Sequence, residues 1–163
     1  MNMRVFLSYA VGPVDSTIAA RLRAVAAAYN ISILLPDRTQ MDFNKLAPDT
    51  LKKIQQSDAV IALMTSGAQF TSINVVNQEL ATAQQQEKPI IALVEQGVPV
   101  QGVPDNQVVR FNPLIPHQHE PALMEVLQQI QRQQRKKDLT ALGWIAGIAL
   151  GLVALSELLG DKK

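Results

Sequence analysis

The chain has no cysteine, which excludes disulfides and thiolate metal sites and fits a reducing, cytosolic setting. It also lacks an excess of charge of either sign. With 15 basic against 14 acidic residues the net charge is +1, too weak a field to make nucleic acid the main partner. No leader-length apolar run opens the sequence: after Met1-Asn2-Met3-Arg4 the run Val5-Phe6-Leu7 is only three residues. That is too short for the apolar region of a secretory signal, so none is expected. What remains is 163 residues, 47% of them hydrophobic, enough to bury the core of one ordinary domain with an appendage and too many for a disordered chain.

Up to about Pro116, short apolar runs alternate with helical patterns, the order of βαβ units around a parallel sheet. Arg4 to Ser8 reads as the first strand. A helix follows, with Asp15 or Ser16 as N-cap and Ile18, Leu22, Val25 and Tyr29 at helical spacing. Ile31 to Leu35 reads as a second strand stopped by Pro36, which has no N–H to give a ladder. A polar loop from Asp37 to Pro48 leads to a short helix, Asp49 to Gln56, expected to bury Leu51 and Ile54. The unbroken apolar run Ala59 to Met64 predicts a central strand covered on both faces. A helix from Ser72 to about Gln86 offers Val75, Val76, Leu80 and Ala83 to the core, Pro89 to Val94 is a fourth strand, and Val108 to Phe111 a short edge strand. The expected fold is α/β, a flavodoxin-like parallel sheet of about five strands flanked by helices, over residues 1–116.

The composition changes near residue 120. Pro121 suits the first position of a helix, and Leu123, Val126, Leu127 and Ile130 form one stripe before the chain turns basic at Arg132, Arg135, Lys136 and Lys137. Residues 117–138 are therefore read as an amphipathic, basic linker helix. Leu139 to Ser156 then gives eighteen residues without a charge, about 27 Å of helix against the roughly 30 Å hydrocarbon core of a bilayer. A transmembrane helix is expected over 139–159. The basic residues ahead of it place the N-terminal domain in the cytoplasm and make the protein single-pass with a C-terminal anchor; they also suit contact with anionic lipid. Gly143, Gly147 and Gly151 recur every fourth residue, one close-approach face for helix association in the membrane.

In parallel sheets ligands bind beyond the carboxyl ends of the strands, so Ser8 to Asp15, Pro36 to Pro48 and Thr65 to Glu79 are the places to search. A phosphoacceptor receiver needs acidic residues after the first strand and at the end of the third, where Ser8-Tyr9 and Thr65-Ser66 stand instead. A dinucleotide fingerprint needs a glycine-rich turn, and only Gly12 is there. His117, His119 and Glu120 lack a fixed scaffold for a metal, so no metal site is expected.

The residues that remain resemble a family. "RVFLSYA" followed by Asp15 and an amphipathic helix looks like the opening box of Toll/interleukin-1 receptor (TIR) domains. Leu34-Leu35-Pro36-Asp37 leads into a loop placed like the TIR BB loop, "KKIQQSDAVIALMTS" is similar to the helix and central strand beyond it, and Glu79 stands in the helix before "EKPIIALV". The likeness runs in order over about residues 4 to 95. It implies cleavage of NAD+ at the nicotinamide–ribose bond, with NAD+ or a related nucleotide as substrate rather than cofactor and Glu79 as the catalytic carboxylate. A carboxylate suits that role because positive charge develops at the anomeric carbon. By position the resemblance implies substrate contacts from Ser8, Tyr9, Ala10, Pro36, Asp37 and Ser72, and a site completed by self-association, in signalling or antiviral defence. Two features depart from the family: Val75 stands where members often carry tryptophan, and no helix is legible between the fourth and fifth strands. "SDAVIALMTS" with "QELATAQQQEKPIIAL" also looks like nucleoside 2-deoxyribosyltransferases, which act on an N-glycosidic bond too but usually show Asp and Gly before the helix. The alternative from a different class is a non-catalytic assembly module that acts through homotypic contacts at the membrane, which Val75 favours.

Overall fold

A computed structural model of the chain describes residues 2–10, 12–39, 45–67, 70–100, 103, 105, 108–112, 114–115, 120–121, 123–124, 127–128 and 131–132. Five strands, β1 (Met3–Tyr9), β2 (Ile31–Leu34), β3 (Ala59–Met64), β4 (Ile90–Glu95) and β5 (Val108–Phe111), form one sheet in the order β2-β1-β3-β4-β5. Every pairing is parallel, with Val5 opposite Ala59, Val60 opposite Ile90 and Ala92 opposite Val108. This is the flavodoxin-like order, and its switch point, where ligands settle in such sheets, lies between β1 and β3.

Parallel strands need crossover helices, and these cover both faces of the sheet. On one face Val5, Leu7, Ile61 and Leu93 pack with Ala19, Leu22 and Ala26 of α1 (Pro13–Ala28) and with Leu123, Met124 and Leu127. On the other, Phe6, Val60, Ala62 and Ala92 pack with Ile54 of α2 (Pro48–Gln56) and with Val76, Leu80 and Ala83 of α3 (Phe70–Gln85). β3 and β4 are buried along all but their last residue, as their unbroken apolar runs predict. Described residues between 120 and 132 have helical backbone, and Leu123, Met124 and Leu127 are at most 1% exposed. This part of the stretch read as a linker thus shares the core of the α/β domain.

Three local expectations need correction. The N-cap of α1 is Gly12, not Asp15 or Ser16: Pro13 takes the first position, where no N–H is needed, and the Ser16 N–H already bonds the Gly12 carbonyl at 3.0 Å. The stripe α1 buries deepest is Asp15, Ala19, Leu22 and Ala26, while Ile18, Val25 and Tyr29 sit at its margin. In α2 the buried pair is Thr50 and Ile54, whereas Leu51 is 37% exposed. The helix instead turns Lys53 toward the sheet, where it donates to the Leu35 carbonyl at 2.9 Å, while Asp49 one turn back on the same helix pairs with it at 2.6 Å.

The transmembrane helix expected over 139–159, with Gly143, Gly147 and Gly151, lies outside the described residues, as do His117 and His119. Among the described residues no helix is long and apolar enough to cross a membrane.

Candidate functional site

Where β1 ends, its side chains alternate between the two faces of the sheet. Ser8 shares the face of Phe6 and so points toward α3. Its hydroxyl is buried and donates to Oε2 of Glu79. Glu79 follows Val75 and Val76 by one helical turn, and this places its carboxylate among core side chains, wholly shielded from solvent. An isolated carboxylate there would be costly, and Arg38 supplies the missing charge. Its Nη1 donates to Glu79 Oε1, and its Nη2 to Oε2 at 3.1 Å. The guanidinium is itself fixed by the Tyr9 carbonyl, which accepts from Nε at 3.2 Å and from Nη2 at 2.7 Å, and by the Tyr9 ring, whose centroid lies 5.6 Å from Cζ.

The Arg38 side chain is 11% exposed and that of Glu79 is 0% exposed, so the arginine is the outer member of the pair. Burial pushes the Glu79 carboxyl above its ordinary range, while the hydrogen bond and charge of Arg38 and the Ser8 hydroxyl pull it back down. Both oxygens are occupied in this arrangement.

A second carboxylate stands on the α1 side of the switch point. Asp15 is buried in the first turn of α1 and accepts a hydrogen bond on Oδ1 from the Thr65 hydroxyl at the end of β3. Its Oδ2 has no hydrogen-bond partner among the described residues. Gly12 makes room for that oxygen, since a Cβ there would lie 2.7 Å from it. Burial holds the Asp15 carboxyl above its usual range, Glu95 adds to the rise, and Thr65 opposes it. Glu95 meanwhile accepts from the Ser66 N–H at 2.9 Å and from its hydroxyl.

The residues expected to touch substrate are placed as follows. The Ser8 hydroxyl bonds Glu79, and the Tyr9 carbonyl accepts from Arg38. Ala10 and Pro36 are buried. Asp37 accepts from the Thr39 hydroxyl and from its N–H at 2.8 Å, and these bonds, the hydroxyl's first, hold its carboxyl below its usual range. Ser72 lies in the helical backbone of α3. Arg38 has little sequence signal of its own beyond being a cation in the loop after β2, at the carboxyl end of the sheet. An open depression of about 480 Å³ lined by Asn2, Arg23, Ala24 and Ser32 lies at the start of β1 and β2, away from Glu79, and among the described residues Arg23 is the titratable group lining it.

No protein-family model matches the chain, and no curated protein matches it. Three solved structures are similar in outline. The TIR domains of the activated Roq1 resistosome directly recognising the pathogen effector XopQ are 13% identical, with a TM-score of 0.45, over 98% of this chain and 99% of that one. The sugar isomerase domain of the RpiR transcription factor from Sphaerobacter thermophilus is 14% identical, TM-score 0.45, over 99% and 78%. The constitutive lysine decarboxylase of E. coli is 14% identical, TM-score 0.43, over 82% of this chain and 17% of that one. Likenesses this distant carry no argument about activity, since one α/β architecture serves unrelated chemistries.

Proposed function

We propose that this protein is a membrane-anchored TIR-like NAD+ glycohydrolase that works when clustered, with Glu79 as its catalytic carboxylate. The observation that carries the reading is the Glu79 carboxylate itself, buried at the carboxyl end of the sheet beside the β1/β3 switch point and aimed by Ser8 and Arg38. It joins the ordered series of TIR-like motifs from "RVFLSYA" to "EKPIIALV".

In the proposed reaction the bond between the ribose anomeric carbon and the pyridinium nitrogen breaks, and its electron pair leaves with neutral nicotinamide. The positive charge that grows on the sugar is what a buried carboxylate stabilises, and low surrounding polarity strengthens the effect. Water then adds to the anomeric carbon and gives up a proton. Glu79 orients the ribose by accepting from its hydroxyls and needs no proton of its own, because the leaving group is already cationic. Clustering follows from the charge-free segment 139–156, whose Gly143, Gly147 and Gly151 favour helix association, and membrane attachment would raise the local concentration of domains. The preceding basic residues keep the domain cytoplasmic.

A second reading, a non-catalytic assembly module, is favoured by one observation: Val75 is buried at 5% exposure and offers no aromatic face to a substrate base. The deciding test uses the full chain reconstituted at high density in liposomes. Release of nicotinamide from NAD+ that falls at least about 100-fold in Glu79→Gln establishes the enzyme. A folded, clustered chain that releases none is an assembly module.

A further inference from the structure

We infer that Arg38 and Glu79 form a charge latch opened by exchange, and that the latch selects substrates carrying a cationic N-glycoside at one end and phosphate within reach of the arginine at the other. This rests on the reading of Glu79 as the residue that meets the ribose.

Both oxygens of Glu79 are engaged, Oε1 by Arg38 and Oε2 by Arg38 and Ser8. Glu79 is wholly buried and Arg38 is the outer member of the pair, so we take a ribose to reach the carboxylate only when the guanidinium yields. Moving Arg38 away by itself would leave a carboxylate at 0% exposure with no counterion, and a buried charge stripped of its partner is strongly disfavoured. The closed pair is thus the stable resting state, and a neutral sugar has nothing to offer either member.

A zwitterionic nucleotide has something to offer both. Its pyridinium ribose brings positive charge to Glu79 as Arg38 leaves, and its phosphate brings negative charge to Arg38 as Glu79 is surrendered. One ion pair becomes two, with no buried charge left single. The planar fork of arginine makes the change cheap in geometry, because carboxylate and phosphate oxygens accept the same two parallel N–H bonds. The anchor is also suited to the exchange: Nε and Nη2 stay on the Tyr9 carbonyl while Nη1, which bonds only the carboxylate among the described contacts, is free to change partner.

The exchange predicts a competition that is measurable without turnover. Inorganic pyrophosphate and Glu79 contend for the same guanidinium, so the full-length Glu79→Gln protein binds pyrophosphate about tenfold or more tighter than wild type by titration calorimetry, and Arg38→Met abolishes that gain. In parallel, wild-type protein prefers nicotinamide mononucleotide to nicotinamide riboside by about tenfold or more in Kd. Arg38→Met brings the ratio to within about twofold, and Arg38→Lys restores part of it. A charge-assisted contact of this kind is ordinarily worth that much. The double variant Arg38→Met/Glu79→Gln, which leaves no unpaired charge, checks that folding is not the cause.

Pyrophosphate affinity indifferent to both substitutions, or an unchanged mononucleotide to riboside ratio in Arg38→Met, overturns the latch. Arg38-dependent phosphate binding by a protein that releases no nicotinamide upholds the latch and removes the glycohydrolase reading, so the two fail separately.

Discussion

Removing the cation from the Arg38–Glu79 pair should reveal how much of the fold leans on it. Arg38→Met keeps most of the side-chain volume and deletes the charge. Glu79, with 0% of its side chain exposed, then stands without a counterion, a situation that costs about 3–5 kcal/mol. At a urea slope of about 2 kcal/mol/M this lowers the unfolding midpoint by about 2 M. The penalty has a pH signature. Burial already holds the Glu79 carboxyl above its ordinary value, and loss of Arg38 removes the largest influence pulling it down. The native state then binds the proton more tightly than the unfolded chain, so the variant is least impaired in acid and loses stability as the pH rises through the raised native value. Glu79→Gln alone is milder, because Arg38 is the outer member and can turn its guanidinium to water. The double variant, neutral on both sides, should recover to within about 1 kcal/mol of wild type, leaving a coupling of at least about 2 kcal/mol in the double-mutant cycle. The assay is urea unfolding of the full chain in mild detergent, followed by far-ultraviolet circular dichroism at pH 5 and pH 8. A loss below about 1 kcal/mol for Arg38→Met, or one equal at both pH values, would refute a buried, ionised pair.

The other carboxylate gives a second pH prediction. The Asp15 carboxyl is raised above 3.8 by burial, so its favourable contribution is complete below that value and is lost as pH rises through the native one. Asp15→Asn, which cannot ionise, should gain stability relative to wild type as the pH rises from 4 to 8, by about 1.4 kcal/mol for each pH unit by which burial raises the native value; a difference that moves the other way in urea titrations contradicts the account. Leu127→Ala, in the helical stretch beyond β5, should cost about 2–5 kcal/mol, as expected for a leucine at 0% exposure, and a thermal melt within 2 °C of wild type would show, by the usual scaling, that this stretch does not belong to the core.

Much of the fold was legible because its signals are local. β3 and β4 are unbroken apolar runs, and Val75, Val76, Leu80 and Ala83 lie on one side of α3; each pattern has a single economical burial. The misreadings share a cause in contacts made far along the chain. Asp15 looked like a cap because aspartate favours helix starts, yet its side chain reaches Thr65, 50 residues away. Leu51 looked like core until Lys53 found the Leu35 carbonyl. Met124 falls beside the stripe of Leu123, Val126, Leu127 and Ile130 that the spacing predicts, yet it is buried at 0% exposure; Val126 and Ile130 lie outside the described residues. Glu79 stood out only through the family resemblance, and Arg38 did not stand out at all, because its partner is 41 positions distant and no periodicity marks a cation in a loop.

The buried pair has a consequence for how this chain can change over time. The carboxylate, at 0% exposure, is tolerable only beside its arginine, so the cation cannot be lost first without passing through a form that folds poorly. A descendant that abandons the pair would be expected to neutralise both positions together, or to discard the arginine last, after the glutamate has become an amide. A glutamate surviving at position 79 beside a neutral residue at position 38 would be the rarest combination, and an arginine surviving alone would mark a lineage still in transit.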